Sequence, residues 1–317
     1  MSGKIFVCGD THGMTGDTQK LNTRNFPEQK NLTKDDVVIQ LGDFGWVWYP
    51  LGQNKEQEYW LDWLAEKNFT LAVVLGNHEN YNVIESLPIE QKWGNEVRAL
   101  HRQKGSVYFL KRGGVYTIIG GAKSVDKAHR VENVSWWAQE RLTFQETESC
   151  LNEIELQGKR YDYVLTHTCP TKFVNSFTDN MSKMKCSVAD FLDHIDDVVE
   201  CKEWHFGHFH KDMQIKEGKY RCHYLNPPYE LGASTEASAR ESANDDIVGM
   251  TYCELEVYNI KGCGKCVKFS DIEKLPFFED WFDIARGSTM STTEEYGIMV
   301  YLDDWVRFCR EYLESGK

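Results

Sequence analysis

Five times along its length, this chain runs through a short apolar stretch and stops in a cluster of carboxylate, amide or imidazole side chains. "KIFVCGDTHG" leads into Asp10 and His12, "DVVIQLGDFG" into Asp43, and "TLAVVLGNHEN" into Asn77, His78 and Glu79. "RYDYVLTHTCP" leads into His167, and "EWHFGHFHKD" carries His208 and His210. The apolar stretches lack clean alternation, so they read as strands buried on both faces in a sheet covered by helices. Residues 53–68 predict one such helix, with Tyr59, Trp60, Trp63 and Leu64 on a core-facing stripe. Residues 187–202 predict another, with Val188, Phe191, Leu192 and Ile195 facing inward.

Strand and helix alternate through the first half, which implies a largely parallel sheet in an α/β domain. Residues 107–119 read as two strands joined by a Gly-Gly turn, and residues 247–269 hold further strand-like runs. The polar run 234–246 reads as an exposed loop, and residues 301–314 as a closing helix. The expected division is a domain over residues 1–230 and an extension over 231–317 that completes or caps it.

In an open α/β sheet, the loops after the carboxyl ends of the strands gather at one edge, and ligands bind there. The five clusters would bring together two Asp, one Asn and five His, oxygen and nitrogen donors that suit Mn, Fe or Zn better than calcium. A single zinc takes three or four protein ligands. Seven or eight donors suit a pair of metals about 3.5–4 Å apart, sharing a carboxylate.

The totals narrow the partners. The formal net charge is −13, which repels the backbone of a long nucleic acid. No stretch approaches the roughly 20 apolar residues that span a bilayer, and "MSGKIFVCGD" does not resemble a secretory signal, so a cytoplasmic location is expected. The ten cysteines are then expected to be reduced thiols. Cys263 and Cys266 have the spacing of half a zinc site, but no second pair accompanies them, which favours a simple turn.

The ordered set "GDTHG" (9–13), "GDFG" (42–45), "GNHE" (76–79), His167 in "THTCP" and "GHFH" (207–210) resembles the calcineurin-like metallophosphoesterases, in the style of their small bacterial members. The resemblance implies a four-layer αββα sandwich and two divalent metals, manganese first, with Fe, Zn, Ni or Co as alternatives. It implies that Asp10, His12 and His210 bind one metal and that Asn77, His167 and His208 bind the other, with Asp43 bridging. His78 would face the substrate phosphate as a catalytic group, and Glu79 would orient the loop or a neighbouring imidazole. The implied reaction is hydrolysis of a small phosphate ester, with a metal-bridging hydroxide attacking phosphorus in line. A further segment, "GGAKSVDKAHR" (120–130) followed by "SWWAQE" (135–140), also resembles small members of the family and would bring Asp126 and Arg130 near the metals. There Arg130 could contact a phosphate oxygen.

Within that class a phosphomonoesterase is favoured, because Arg130, with Lys123 or Lys127, could serve a dianion. The alternatives are a phosphodiesterase for cyclic or small nucleotides, or a non-catalytic protein-binding platform on the same fold. The sequence leaves oligomeric state open. His101, His129, His194, His205 and His223 fall on no motif and are expected to be structural. Trp46 and Trp48 follow Asp43 at once and are expected to plug the loop, although they could stack on a base.

Overall fold

The computed structural model describes residues 3–110, 118–179 and 184–232, together with the backbone of 112–113, 257–260, 264–268, 290–293 and 297–301. The chain divides into two compact units, residues 1–232 and 233–317.

The first unit opens with β1 (Ile5–Cys8), β2 (Val37–Gln40), β3 (Thr70–Val74), β4 (Ile89–Lys92), β5 (Asn95–Arg102) and β6 (Gly105–Leu110). Strands β1, β2, β3 and β6 lie side by side in parallel; β5 continues the sheet antiparallel to β6, and β4 pairs antiparallel to β5 at the edge. A second sheet follows: β7 (Arg112–Gly113), β8 (Ile118–Ile119), β9 (Arg160–Thr166), β10 (Glu200–Phe206), β11 (Met213–Ile215) and β12 (Tyr220–Cys222). Within it, β8, β9, β10 and β12 run parallel. The chain then returns through β13 (Tyr229–Glu230) to the edge of the first sheet, antiparallel to β1.

Successive residues of one strand enter different apolar layers, so both faces of each sheet are buried. Phe6, Cys8, Val38, Leu71 and Val73 pack outward with Leu61 and Leu64 of α2 (Lys55–Ala65). Their neighbours Val7, Val37, Ile39, Ala72 and Val74 point the other way and meet Ile118 and Leu165 of the second sheet. On the far side, Val164, Trp204 and Phe206 pack with Cys150 and Ile154 of α3 (Phe144–Gln157) and with Val188, Leu192 and Ile195 of α4 (Ser187–Val198). The layers are therefore helix, sheet, sheet, helix, the αββα sandwich. Among the shorter helices, the single turn α1 (Thr15–Thr18) follows the loop that carries Asp10 and His12.

Several expectations need correction. Tyr59 does not join the core stripe of α2; it is 62% exposed, and Leu61 takes the buried position. The helix expected over 187–202 stops at Val198, because Glu200 already begins β10 beside β9. Residues 107–119 are not one hairpin: β6 pairs with β3 and β5 in the first sheet, whereas β7 and β8 pair in the second. The β4–β5 hairpin carries an exposed edge, "IEQK", too polar to signal itself.

The second unit shows a four-stranded antiparallel sheet in the order β14 (Val257–Ile260), β15 (Gly264–Lys268), β17 (Gly297–Tyr301), β16 (Met290–Thr293). The loop expected at 234–246, the body of the helix expected at 301–314 and Cys263 lie outside the described residues. Among the described cysteines, Cys8, Cys150, Cys169, Cys186, Cys201 and Cys222 are free thiols.

Candidate metal centre

The five parallel strands β1, β2, β3, β9 and β10 each end in a donor-bearing loop, and those loops meet. Asp10, His12 and His210 form one group of converging ligand atoms, and Asp43, His167 and His208 form a second. Asp43 stands between them. Its Oδ1 lies 3.2 Å from His167 Nε2, and its Oδ2 lies 3.4 Å from His12 Nε2. The amide of Asn77 joins the second group, with Oδ1 3.0 Å from His167 Nε2.

Such convergence needs unusual backbone. His12, Asp43, His208 and His210 all sit at positive φ, between 51° and 69°, a region that costs a non-glycine residue on the order of 1–3 kcal/mol. The loops also press together. A Cβ on Gly76 would lie 2.2 Å from the Asp43 nitrogen, and one on Gly42 would lie 2.0 Å from His167 Nδ1. Gly76 is thus required for close approach and not for a left-handed turn; Gly42, at φ 97°, needs both. Glu79 binds the loops to one another by accepting from Phe44 N at 2.8 Å and Gly76 N at 3.3 Å. Burial and Asp43 push its carboxyl up to about 8, against the pull of those N–H groups.

The residues fit a pair of cations on several independent grounds. His167 Nδ1 lies 2.7 Å from the Leu41 carbonyl and must donate to it, so in the neutral ring the lone pair is on Nε2. Nε2 faces the Asn77 and Asp43 oxygens, so acceptor atoms converge on a place that only a second ring proton or a cation can fill. His12 repeats the pattern: Nδ1 meets Asp17 Oδ2 at 3.1 Å, while Nε2 faces His210 Nε2 at 3.1 Å. Buried His208 Nε2 has no hydrogen-bond partner at all. Charge points the same way. Burial opposes a charge on His12 and His167, yet the surrounding carboxylates raise them to about 10 and about 9. Burial raises Asp10 to about 6, whereas His167 and His78 overcome burial at Asp43 and hold it well below the usual range. The carboxylates call for positive charge at the His12 and His167 ring nitrogens, whether from a second proton or from a cation.

His78 is not in either ligand group. Its Nε2 lies 4.0 Å from Asp43 Oδ2, and its ring is held from the other side by Arg130, whose Nη2 lies 2.9 and 3.0 Å from the two ring nitrogens. One amino group cannot lie in line with both lone pairs, so the guanidinium abuts the ring between them. Arg130 is itself fixed, through Nε to Asp126 at 2.8 Å and through Nη1 to the Ser135 carbonyl at 3.2 Å. Burial and the neighbouring guanidinium lower His78, with Asp43 opposing.

Other expectations are now placed. Lys127 lies over the Trp136 ring, 3.6 Å from its centroid, where its charge is engaged away from His78. Trp46 is a plug: it is buried, stacks on Trp60 and donates to Thr18. Trp48 packs edge-on against Trp137. His205 and His223 are buried and bonded to one another, outside the centre. Three participants carried no motif: Asp17, Tyr224 and buried Lys20, whose ammonium donates to the Gly9 and Asp10 carbonyls. The spacing of Asp17 from His12, five residues on into the first helical turn, was the one available signal.

The model of the calcineurin-like phosphoesterase family matches residues 3–212, and the chain belongs to that family. That family is one of metal-dependent phosphoesterases of the dinuclear type, and the two donor groups of this chain are the candidate metal sites. None of the curated proteins matches. Among solved structures it is similar to a Staphylococcus aureus protein described as a candidate 5'-nucleotidase, crystallised with alpha-ketoglutarate. That pair shares 12% identity over 76% of this chain, with a TM-score of 0.40, and the match spans only 58% of the Staphylococcus chain. It is also similar to the phosphopantetheinyl hydrolase of Mycobacterium tuberculosis, at 14% identity, TM-score 0.34, covering 70% of this chain and 89% of that one. A protein of unknown function from Aquifex aeolicus matches at 12% identity, TM-score 0.25, over 76% and 99% of the two chains. No helix among the described residues is long and apolar enough to cross a membrane.

Proposed function

We propose that the chain hydrolyses small phosphate monoesters, with its catalytic domain in residues 1–230. Asp10, His12 and His210 would hold one divalent cation, Asn77, His167 and His208 the other, and Asp43 both; the oxygen and nitrogen donors suit manganese. Bound there, the cations would acidify water and offset charge on phosphate oxygens. The rest is the work of side chains. Arg130 brings a fixed guanidinium to the outer side of His78, facing where the non-ligated oxygens of a phosphate would lie. A monoester dianion carries one more charged oxygen than a diester and gains more from such a group. This placement is the observation that carries the monoester reading.

His78, lowered by burial and by Arg130, is uncharged near neutral pH. An uncharged imidazole serves by donating one N–H to a phosphate oxygen, which favours transition-state hydrogen bonding over proton transfer to the leaving group. The leaving group would occupy a cavity of about 350 Å3 that begins at His12 and His78 and is walled by Trp48, Tyr49 and Glu56. Its lining holds a carboxylate and no lysine or arginine, so a leaving group with further phosphates is disfavoured. Turnover of p-nitrophenyl phosphate against bis-p-nitrophenyl phosphate, with Mn2+ and after chelation, tests the reading. Preference for the diester would replace it by the phosphodiesterase reading. Metal-bound protein inert on both would remove it.

A further inference from the structure

The first donor group is held by a residue from beyond the family match. Asp212 accepts the backbone N–H groups of Tyr224, Leu225 and Asn226 at 2.8, 2.9 and 3.1 Å, fixing the segment that follows β12. That segment lays the Tyr224 ring flat on His210, with centroids 4.7 Å apart and planes 10° from parallel. The same residue's hydroxyl lies 3.4 Å from both oxygens of Asp17. Asp17 in turn accepts from His12 Nδ1. Tyr224 therefore touches His210 by its face and His12 through Asp17 by its tip. His210 needs this support, since its side chain is 50% exposed and, among the described residues, its nearest carboxylate oxygen is Asp10 Oδ2 at 3.5 Å.

We infer that Tyr224, with Asp17, is the positioning residue for the first metal, and that the occupancy of that metal is set separately from that of the second. The inference rests on the metal assignment above. The second group is oriented by other means: His167 by the Leu41 carbonyl, and His208 by burial at the end of β10. Loss of Tyr224 thus weakens one site and spares the other. Partners that orient a ligand are worth about 10–100-fold in metal affinity.

The test uses the full chain, stripped of metal and titrated with Mn2+ alone, followed by calorimetry and by electron paramagnetic resonance. Wild type is expected to bind two ions and to show the exchange-coupled signal of a metal pair. Tyr224→Ala is expected to keep one ion at wild-type affinity, to bind the other 10–100-fold more weakly, and to show an isolated-Mn2+ signal at intermediate loading. Tyr224→Phe keeps the stacked ring and loses only the hydroxyl, so it should fall between the two. That variant removes one oxygen atom and no packing surface of the ring, and it keeps the test alive if the alanine variant melts. Equal affinities in wild type and both variants would overturn the inference. So would loss of both ions together in a folded variant, because the support would then not be specific to one site. A wild type that binds fewer than two ions would instead bring down the metal assignment itself, and the inference with it.

Discussion

The two donor groups share Asp43 yet are built differently. Asn77, His167 and His208 sit behind the sheet ends with side chains walled in by backbone, and His167 has no exposed surface. Asp10 is equally buried, but its partners lie at the rim, with His12 at 12% side-chain exposure and His210 at 50%. The buried group is oriented by main chain and has little freedom. The rim group is oriented by side chains, Asp17 and Tyr224, and stays open to solvent and substrate. Of the two proposed ions, one would thereby be built in and the other built to be reached.

The largest expected effect comes from breaking what the two groups have in common. Asp43→Asn removes the charge that faces both, and several kcal/mol of transition-state stabilisation should go with it. On the order of a thousandfold loss in kcat is expected, read by Mn2+-supported turnover of p-nitrophenyl phosphate. Retained activity above a tenth of wild type would show that the two groups do not act as one centre.

Arg130→Ala should come next, because it removes charge from the substrate side without touching either group. About a hundredfold loss is expected on the monoester, with much less on the diester. An equal loss on both would mean that Arg130 only positions His78. A smaller effect is expected from partial chelation. Limiting EDTA should remove the rim ion first and leave protein with one ion whose activity returns on adding Mn2+, followed by metal analysis of each fraction. Simultaneous loss of both ions would erase the contrast between the sites.

The convergence of donors was legible because metal-binding chemistry calls for particular residue types at strand ends. Asp10, Asp43, Asn77 and His208 each sit within three residues of a strand, and apolar runs with polar ends announce both the sheet and the site. What supports those candidate ligands is written in no such code. Tyr224 reaches His210 only because Asp212 folds the segment after β12, and Lys20 reaches the Gly9 carbonyl only because a single helical turn brings the chain back. A tyrosine's ring or a lysine's ammonium can be replaced by other devices in another chain, so neither leaves a pattern. The β7–β8 pair was misread for a related reason: two glycines look like a turn, whereas which sheet a short strand joins is decided by partners far away.

A second pair of facing imidazoles sharpens the comparison from outside the centre. His12 and His210 face each other with Nε2 atoms 3.1 Å apart, in a cluster that calls for a cation. His205 Nδ1 and His223 Nε2 lie 2.9 Å apart, but here Glu203 lies 3.3 Å from His205 Nε2, within reach of a weak bond. His205 can then donate to Glu203 and accept from His223, so one proton satisfies the pair and no metal is needed. Burial, the larger cause at both, lowers the pKa of His205 and lowers that of His223 well below 6.5. The sign follows: in the unfolded chain these groups take up protons near their ordinary 6.5, whereas in the fold they resist, so their stabilisation is present above that pH and is lost as pH falls below it. The expected loss is about 1 kcal/mol per imidazole for each pH unit below the ordinary value. Urea melts of metal-loaded protein at a series of pH values should show this decline, and His223→Gln, which still donates but does not titrate, should flatten it by about half. An unchanged slope would mean that the pair is already protonated in the fold, and its resemblance to the metal-side pair would be closer than the geometry allows.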